Sequence, residues 1–328
     1  MNNWTGKRVL VTGAGGFIGS HLAERLVELG ARVRALVHYN SLGSWGWLQD
    51  SPRRADLEVR AGDIVDRDGV QHAMEGVECV FHLAALIGIP YSYHAPESYV
   101  RTNVIGTLNV LQAARALGVG RVVHTSTSEV YGTARYVPID EQHPLQGQSP
   151  YSATKIGADK LVEAYHLSFG APVVTVRPFN TFGPRQSGRA VIPTIIAQAL
   201  AGRPVKLGHL HPTRDLNYVS NTVDGFVRAG EAEGALGGTF NLGTGREISV
   251  GDLATLIGRL LGRELKIEGE TARQRPAGSE VERLLADATR ARDILGWTPA
   301  VTLEEGLKLT IAWLTSHQHL YRPDAYTV

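Results

Sequence analysis

The sequence predicts an α/β fold: a doubly wound parallel Rossmann sheet with a smaller C-terminal α/β substrate lobe. Three observations carry this. A short apolar strand, Lys7 to Thr12, runs directly into Gly13-Ala-Gly-Gly-Phe-Ile-Gly19 and then into a helix. Apolar strands alternate with helical stretches through the first half of the chain, the pattern of βαβ units. Past Pro184 that pattern loosens into short strands between helices. The expected division is residues 1–180 for the dinucleotide-binding domain, with about 213–245 returning to it, and 181–328 for the lobe.

Glycine at 13, 16 and 19 allows a tight turn, close approach of a pyrophosphate and close helix–strand packing. The helix that follows carries Ile18, Leu22, Leu26 and Leu29 on one stripe and closes at Gly30. Its free amides near Phe17 and Ile18, with the positive end of its dipole, suit phosphates. The strand before and the helix after are the context that gives such a glycine motif weight. A second strand, Arg32 to Val37, is followed by His38 where a carboxylate would read a ribose 2′-hydroxyl, so NAD and NADP both stay open. A third, Leu57 to Ala61, leads to Asp63 and Ile64, placed to flank an adenine. A fourth, Cys79 to Leu83, ends in Ala84 and Ala85, small enough for a cofactor to reach the backbone. A helix over roughly 102–117 precedes the strand that begins at Arg121. In the second half, short strands at 204–207 and 238–241 interleave with helices around 189–201, 221–231 and 249–262.

A net charge of +1 gives no reason to expect a nucleic-acid partner, and no apolar run is long enough to span a membrane. The single cysteine, Cys79, cannot form an internal disulfide, and the N-terminus lacks the apolar core of a signal peptide; both fit a cytoplasmic protein. The twelve histidines show no metal-ligand spacing, so no metal is expected.

Chemistry concentrates between Arg121 and Lys155. An apolar strand ends in Ser126-Thr127-Ser128-Glu129-Val130-Tyr131, and Ser149-Pro150 opens a helix bearing Tyr151 and Lys155. Residues four apart share a helix face, and an ammonium beside a phenol favours the phenolate. Tyr151 is therefore expected to act as a base with its pKa lowered by Lys155. A further strand, Pro172 to Arg177, ends in Pro178-Phe-Asn180.

Taken together, the glycine loop, Gly62-Asp63-Ile64, His82 to Ala85, Ser126 to Gly132, Tyr151 with Lys155, and Arg177 to Asn180 resemble the extended short-chain dehydrogenases/reductases that epimerise, dehydrate or decarboxylate nucleotide sugars. The likeness runs from about Arg8 to about Trp313. It implies a tightly bound NAD or NADP, regenerated each turnover, with NAD favoured and Pro178 and Leu83 beside it. It also implies a homodimer joined through a four-helix bundle. Thr127-Ser128-Glu129 resembles the motif of GDP-mannose 4,6-dehydratases, but UDP-glucuronate decarboxylases share it. Longer stretches, Leu86 to Tyr93, Ala190-Val-Ile-Pro193 and Pro212-Thr-Arg-Asp215 among them, look like the legionaminic-acid type of 4,6-dehydratase acting on UDP- or GDP-N-acetylglucosamine. On that likeness Thr127, Ser128, Glu129, Tyr151 and Lys155 are catalytic, and Tyr91, Asn180, Arg185, Val191, Arg214 and Arg275 touch substrate. A decarboxylase, a 4-epimerase and a non-catalytic nucleotide sensor are the alternatives.

Overall fold

Strands that lie mid-sheet under helices on both faces bury nearly every residue, and four of them do so here. In the computed structural model, which describes residues 3–324, β1 (Arg8–Thr12), β4 (Cys79–His82), β5 (Arg121–Thr125) and β6 (Val173–Pro178) are almost wholly buried. Residues 1–2 and 325–328, the extremes of the two expected regions, lie outside the described residues. With β2 (Arg32–His38), β3 (Leu57–Gly62) and Thr239–Leu242, these strands form a seven-stranded parallel sheet in the order β3-β2-β1-β4-β5-β6 followed by Thr239–Leu242. The chain reverses direction across the sheet between β1 and β4. That switch point opens a crevice at the carboxyl ends of the strands, where ligands of such folds bind.

Two apolar layers sandwich the sheet. On one side α1 (Phe17–Glu28) and the helix Val219–Glu231 pack together; Leu22, Leu26, Phe226 and Phe240 are fully buried there. On the other lie α2 (Arg67–Met74), α5 (Gly106–Ala116) and α6 (Pro150–Phe169), over Leu10, Val80 and Val122. Between β4 and α5 the chain forms α3 (Ile89–His94) and α4 (Pro96–Tyr99), then a π-helical turn, Val100–Ile105. The helix expected over 102–117 therefore starts earlier, because Pro96 sits in a first helical turn, where a missing N–H costs nothing.

Short strands support the remaining region. Thr213–Asp215 pairs antiparallel with Glu247–Ser249 and parallel with Arg283–Leu284, and Val205–Leu207 pairs with Ile267–Gly269. The helices there are Val191–Leu200, Val219–Glu231 and Val250–Leu260, joined by Thr289–Leu295 and Leu303–Ser316, which the sequence reading left unassigned.

Candidate active site

A cleft of about 1150 Å³ runs from the glycine loop to Arg214, Arg275 and Glu280 in the C-terminal half of the chain. Drug-sized ligands fill pockets of roughly 300–1,000 Å³, so it has room for two ligands end to end. Its first half is shaped by backbone. Gly13 sits at φ 70°, and a Cβ there would come within 2.8 Å of Ala84 N. A Cβ on Gly19 would lie 2.2 Å from the Gly13 carbonyl. No side chain caps the N-terminus of α1. Gly16, Phe17, Ile18, His38, Asp63, Ile64, Leu83, Ala84, Ala85 and Pro178 line the cleft with these two glycines. Thr12 Oγ1 accepts from the amides of Leu83 and Ala84 (both 3.1 Å), which fixes the loop after β4 against β1. A segment the sequence reading passed over closes the far edge. Asn40 ties its own turn, its Oδ1 accepting from the amides of Leu42 and Ser44, and Trp47 N donates to Gly15 O at 3.0 Å.

The second half begins where β5 ends. Thr127 caps the turn Ser128–Tyr131, its Oγ1 accepting from Glu129 N at 3.2 Å. That turn carries Ser128 and Glu129 into the cleft wall, both buried. Ser149 and Ser152 form a reciprocal capping box at the start of α6, so Tyr151 enters the cleft in the first helical turn. The Tyr151 ring meets Tyr99 edge-on at 6.3 Å, and Tyr99 OH donates to Gly88 O at 2.5 Å. Lys155 Nζ donates to Thr125 O at 2.5 Å.

One electrostatic expectation is corrected here. Burial pushes the Tyr151 phenol well above its ordinary value; Thr127 acts against that, while Glu129, Tyr99 and Asp159 add to it. Lys155 is not among the main influences on it. The ammonium is itself desolvated, pushed down to about 8 by burial, and its proton points at the Thr125 carbonyl.

Asn180, Val191, Arg214 and Arg275 line the far end. Asn180 Oδ1 is a buried acceptor with no partner within the protein, the condition of a group that awaits a ligand. Arg275 Nη1 lies 3.5 Å from Glu129 Oε2 and 3.8 Å from Glu280 Oε1. Arg214 Nη2 lies 3.3 Å from the same oxygen of Glu280, and His209 Nδ1 lies 3.3 Å from its other one. Glu280 and His209 were not anticipated; Glu280 stands 151 residues beyond Glu129 in the chain, and no spacing pattern links the two.

Two expected substrate contacts are not in the cleft wall. Arg185 turns away: its guanidinium takes both oxygens of Glu24 at 3.0 Å and Ser20 Oγ at 3.1 Å, which ties its loop to α1. Tyr91 is exposed and packs its ring 6.1 Å from Tyr99, outside the lining. Asn103, which pattern reading also missed, is buried in the π-helical turn. It exchanges two hydrogen bonds with the Leu86 backbone (2.9 and 3.0 Å) and donates to Thr154 Oγ1 at 3.0 Å, joining the cofactor-side loop to the helix of Tyr151.

Residues 10–310 match the family model of GDP-mannose 4,6 dehydratase. A UDP-glucose 4-epimerase of Mycolicibacterium smegmatis is 39% identical over 310 residues, 93% of this chain and 97% of that one. A dTDP-glucose 4,6-dehydratase of Streptomyces griseus is 34% identical, with 96% of each chain covered. Among solved structures, an epimerase from Methanothermobacter thermautotrophicus superposes with a TM-score of 0.90 at 32% identity, covering 99% of this chain and 96% of that one. A dTDP-glucose 4,6-dehydratase of Streptomyces venezuelae, solved with NAD bound, gives a TM-score of 0.88 at 30% identity, covering 96% and 99%.

Proposed function

The chain belongs to the NAD-dependent epimerase/dehydratase family of short-chain dehydrogenases/reductases, and from that premise we propose that it is a nucleotide-sugar 4,6-dehydratase acting on UDP- or GDP-N-acetylglucosamine. The observation that carries this reading is Glu129: a buried carboxylate in the cleft wall, close enough to Tyr151 to act on its phenol. Transfer at C4 alone needs only Tyr151, Lys155 and a hydroxyl. A second base beside them serves an elimination.

The dinucleotide fits the half of the cleft shaped by Gly13 and Gly19, where no Cβ can stand. NAD is favoured over NADP, with His38, Asp63 and Ile64 around the adenosine and Ala84, Ala85 and Pro178 further along. When bound, the nicotinamide supplies a hydride acceptor for C4 and a hydride donor for C6. The chain supplies the proton chemistry. Tyr151 takes the O4 proton while Thr127 hydrogen-bonds the same oxygen, and Lys155 contributes positive charge. The 4-keto group acidifies C5–H, and Glu129 removes that proton. The C6 hydroxyl leaves as water, protonated by Glu129 or by a water held at Ser128, and C5 regains a proton from solvent as C6 is reduced. Asn180, Arg214 and Arg275 hold the diphosphate, for which guanidinium groups have matching geometry. Val191 lines the sugar end.

The test is product mass analysis with UDP-N-acetylglucosamine, GDP-N-acetylglucosamine, UDP-glucose and UDP-glucuronate in deuterated water. Loss of one water with one deuterium gained at C5 supports the reading; loss of CO2 from UDP-glucuronate alone replaces it with decarboxylation. The 39% identity to a UDP-glucose 4-epimerase favours a second reading, epimerisation at C4. That reading predicts an unchanged mass and indifference to Glu129→Gln.

We further infer a homodimer through α5 and α6 and a cytoplasmic location. Leu167, at 77% exposure the most open large apolar residue of α6, lies with Phe169 and Leu117 at one end of the helix pair and supports the dimer. The lone thiol, fully buried, fits a reducing compartment.

A further inference from the structure

Asp159 is a buried acid that the steps above leave without a task. It stands four residues after Lys155 on α6, so both project from one face of the helix. Its carboxylate is the meeting point of three elements. From β5, His124 Nε2 lies 3.2 Å from Oδ1, and just beyond that strand Ser126 Oγ donates to Oδ2 at 2.8 Å. From β6, Arg177 donates to Oδ2 through Nε at 3.2 Å and Nη2 at 2.9 Å. Arg177 reaches on to Tyr131 OH at 2.9 Å, and Tyr131 donates to Asn241 Oδ1 at 2.7 Å. Glu141 accepts from the Asn241 backbone amide on the far side of that chain, and burial raises its pKa. His82 on β4 lies 5.7 Å from the His124 ring, and burial lowers the pKa of both imidazoles.

We propose that Asp159 is a positioning residue that keeps Lys155 in its ammonium form inside a dry pocket. Of the groups around Lys155 and Asp159, burial keeps His82 and His124 neutral, Arg177 is a cation bonded to Asp159, and Asp159 brings the negative charge that acts on Lys155. Burial raises this carboxyl, but the His124 hydrogen bond and the nearby Arg177 and Lys155 charges bring it down to about 2, so the Asp159 charge is present throughout the working range. Burial drives Lys155 toward the neutral amine, and the Asp159 charge is what opposes it. A neutral amine would leave this wall of the cleft without the positive charge that Lys155 brings to it. The inference rests on Lys155 serving the site as a cation.

Lysine-selective NMR titration reads the charge of Lys155 directly, whichever sugar is turned over, so its failure is separate from failure of the dehydratase reading. In the unaltered protein the transition is expected near pH 8. A Lys155 already neutral at pH 7 overturns the proposal without any variant. Asp159→Asn should move the transition down by about one pH unit or more, because one charge at this range through protein is worth at least that much. kcat/KM should then fall roughly tenfold above pH 8 and stay within about threefold at pH 6. Arg177→Met, a second variant in case the first does not fold, removes a cation and should move the transition up. His124→Gln retains a neutral side chain and should leave it in place. An unmoved transition in folded Asp159→Asn or Arg177→Met, or the same direction in both, overturns the proposal, as does equal loss of activity at every pH.

Discussion

Glu129→Gln separates the two halves of the proposed reaction. The substitution keeps size and removes one negative charge. Two consequences follow from the surroundings of the side chain. Arg275 loses its contact at 3.5 Å with Glu129 Oε2 but still has Glu280 Oε1 at 3.8 Å, so no unpaired cation is stranded. The folding cost should therefore stay near about 1 kcal/mol, the scale of one lost hydrogen-bonded pair rather than of an orphaned buried charge. Glu129 is also one of the groups that raise the Tyr151 phenol, so its removal eases proton transfer from O4. Oxidation at C4 should persist, with its acid-side pH limb moved to lower pH. Elimination should fall by roughly 10²–10⁴-fold, the contribution of a positioned base, or about 3–5 kcal/mol in barrier. The assay quenches turnover with borodeuteride and weighs the products. The variant should yield deuterium at C4 on a sugar that has kept its C6 hydroxyl, and the unaltered enzyme a 6-deoxy product. Turnover to the 6-deoxy product within tenfold of the unaltered enzyme would refute the assignment. So would loss of C4 oxidation in the same proportion as loss of elimination, because Glu129 would then serve the site as scaffolding.

Four further outcomes are expected. Gly19→Ala places a methyl 2.2 Å from the Gly13 carbonyl, so dinucleotide affinity measured by fluorescence titration should drop by at least tenfold. Arg185→Met leaves Glu24 semi-buried without its guanidinium. It should cost about 2–3 kcal/mol in urea unfolding, discounted from a fully buried pair, while KM for the nucleotide sugar changes less than about threefold. Leu167→Asp should convert the dimer to a monomer in light scattering, whereas a monomeric unaltered protein removes the dimer proposal. Burial pushes the Cys79 thiol up to about 12, so a maleimide should leave the native protein unlabelled at neutral pH and react fully in denaturant.

The parallel core was legible because its causes are local. Strands buried on both faces are rich in apolar residues, as in Val9-Leu10-Val11, and a glycine loop between strand and helix announces itself within a dozen residues. Tyr151 and Lys155 were legible for the same reason, since one helical turn is a spacing. The interpretation of their spacing failed where it ignored depth. A helix face brings two side chains together, but burial shifted both the phenol and the ammonium in ways the spacing does not encode. Arg185 failed differently. It neighbours residues that do reach the cleft, yet its backbone, at φ 70°, carries it to α1, and such a turn from a non-glycine residue leaves no mark in the sequence.

The residues that pattern reading missed are joined by one property: each acts on a part of the chain far from it in sequence. Asn103 connects Leu86 to Thr154, Glu280 gathers His209, Arg214 and Arg275, and Asp159 draws together β5, β6 and α6. None of them needs a fixed neighbour in the chain, because its partners are set by the sheet order and the strand registers. In this protein the sheet brings His124 beside Thr175 and Arg177 beside Asn241, and those registers place a guanidinium and an imidazole around Asp159, the acid four residues after Lys155. The local motif thus supplies the reacting groups, and the topology supplies the charges that set their protonation. A transplant of Tyr151, Lys155 and Glu129 onto a sheet with other registers should accordingly bind a dinucleotide yet turn over poorly, with its lysine neutral at pH 8.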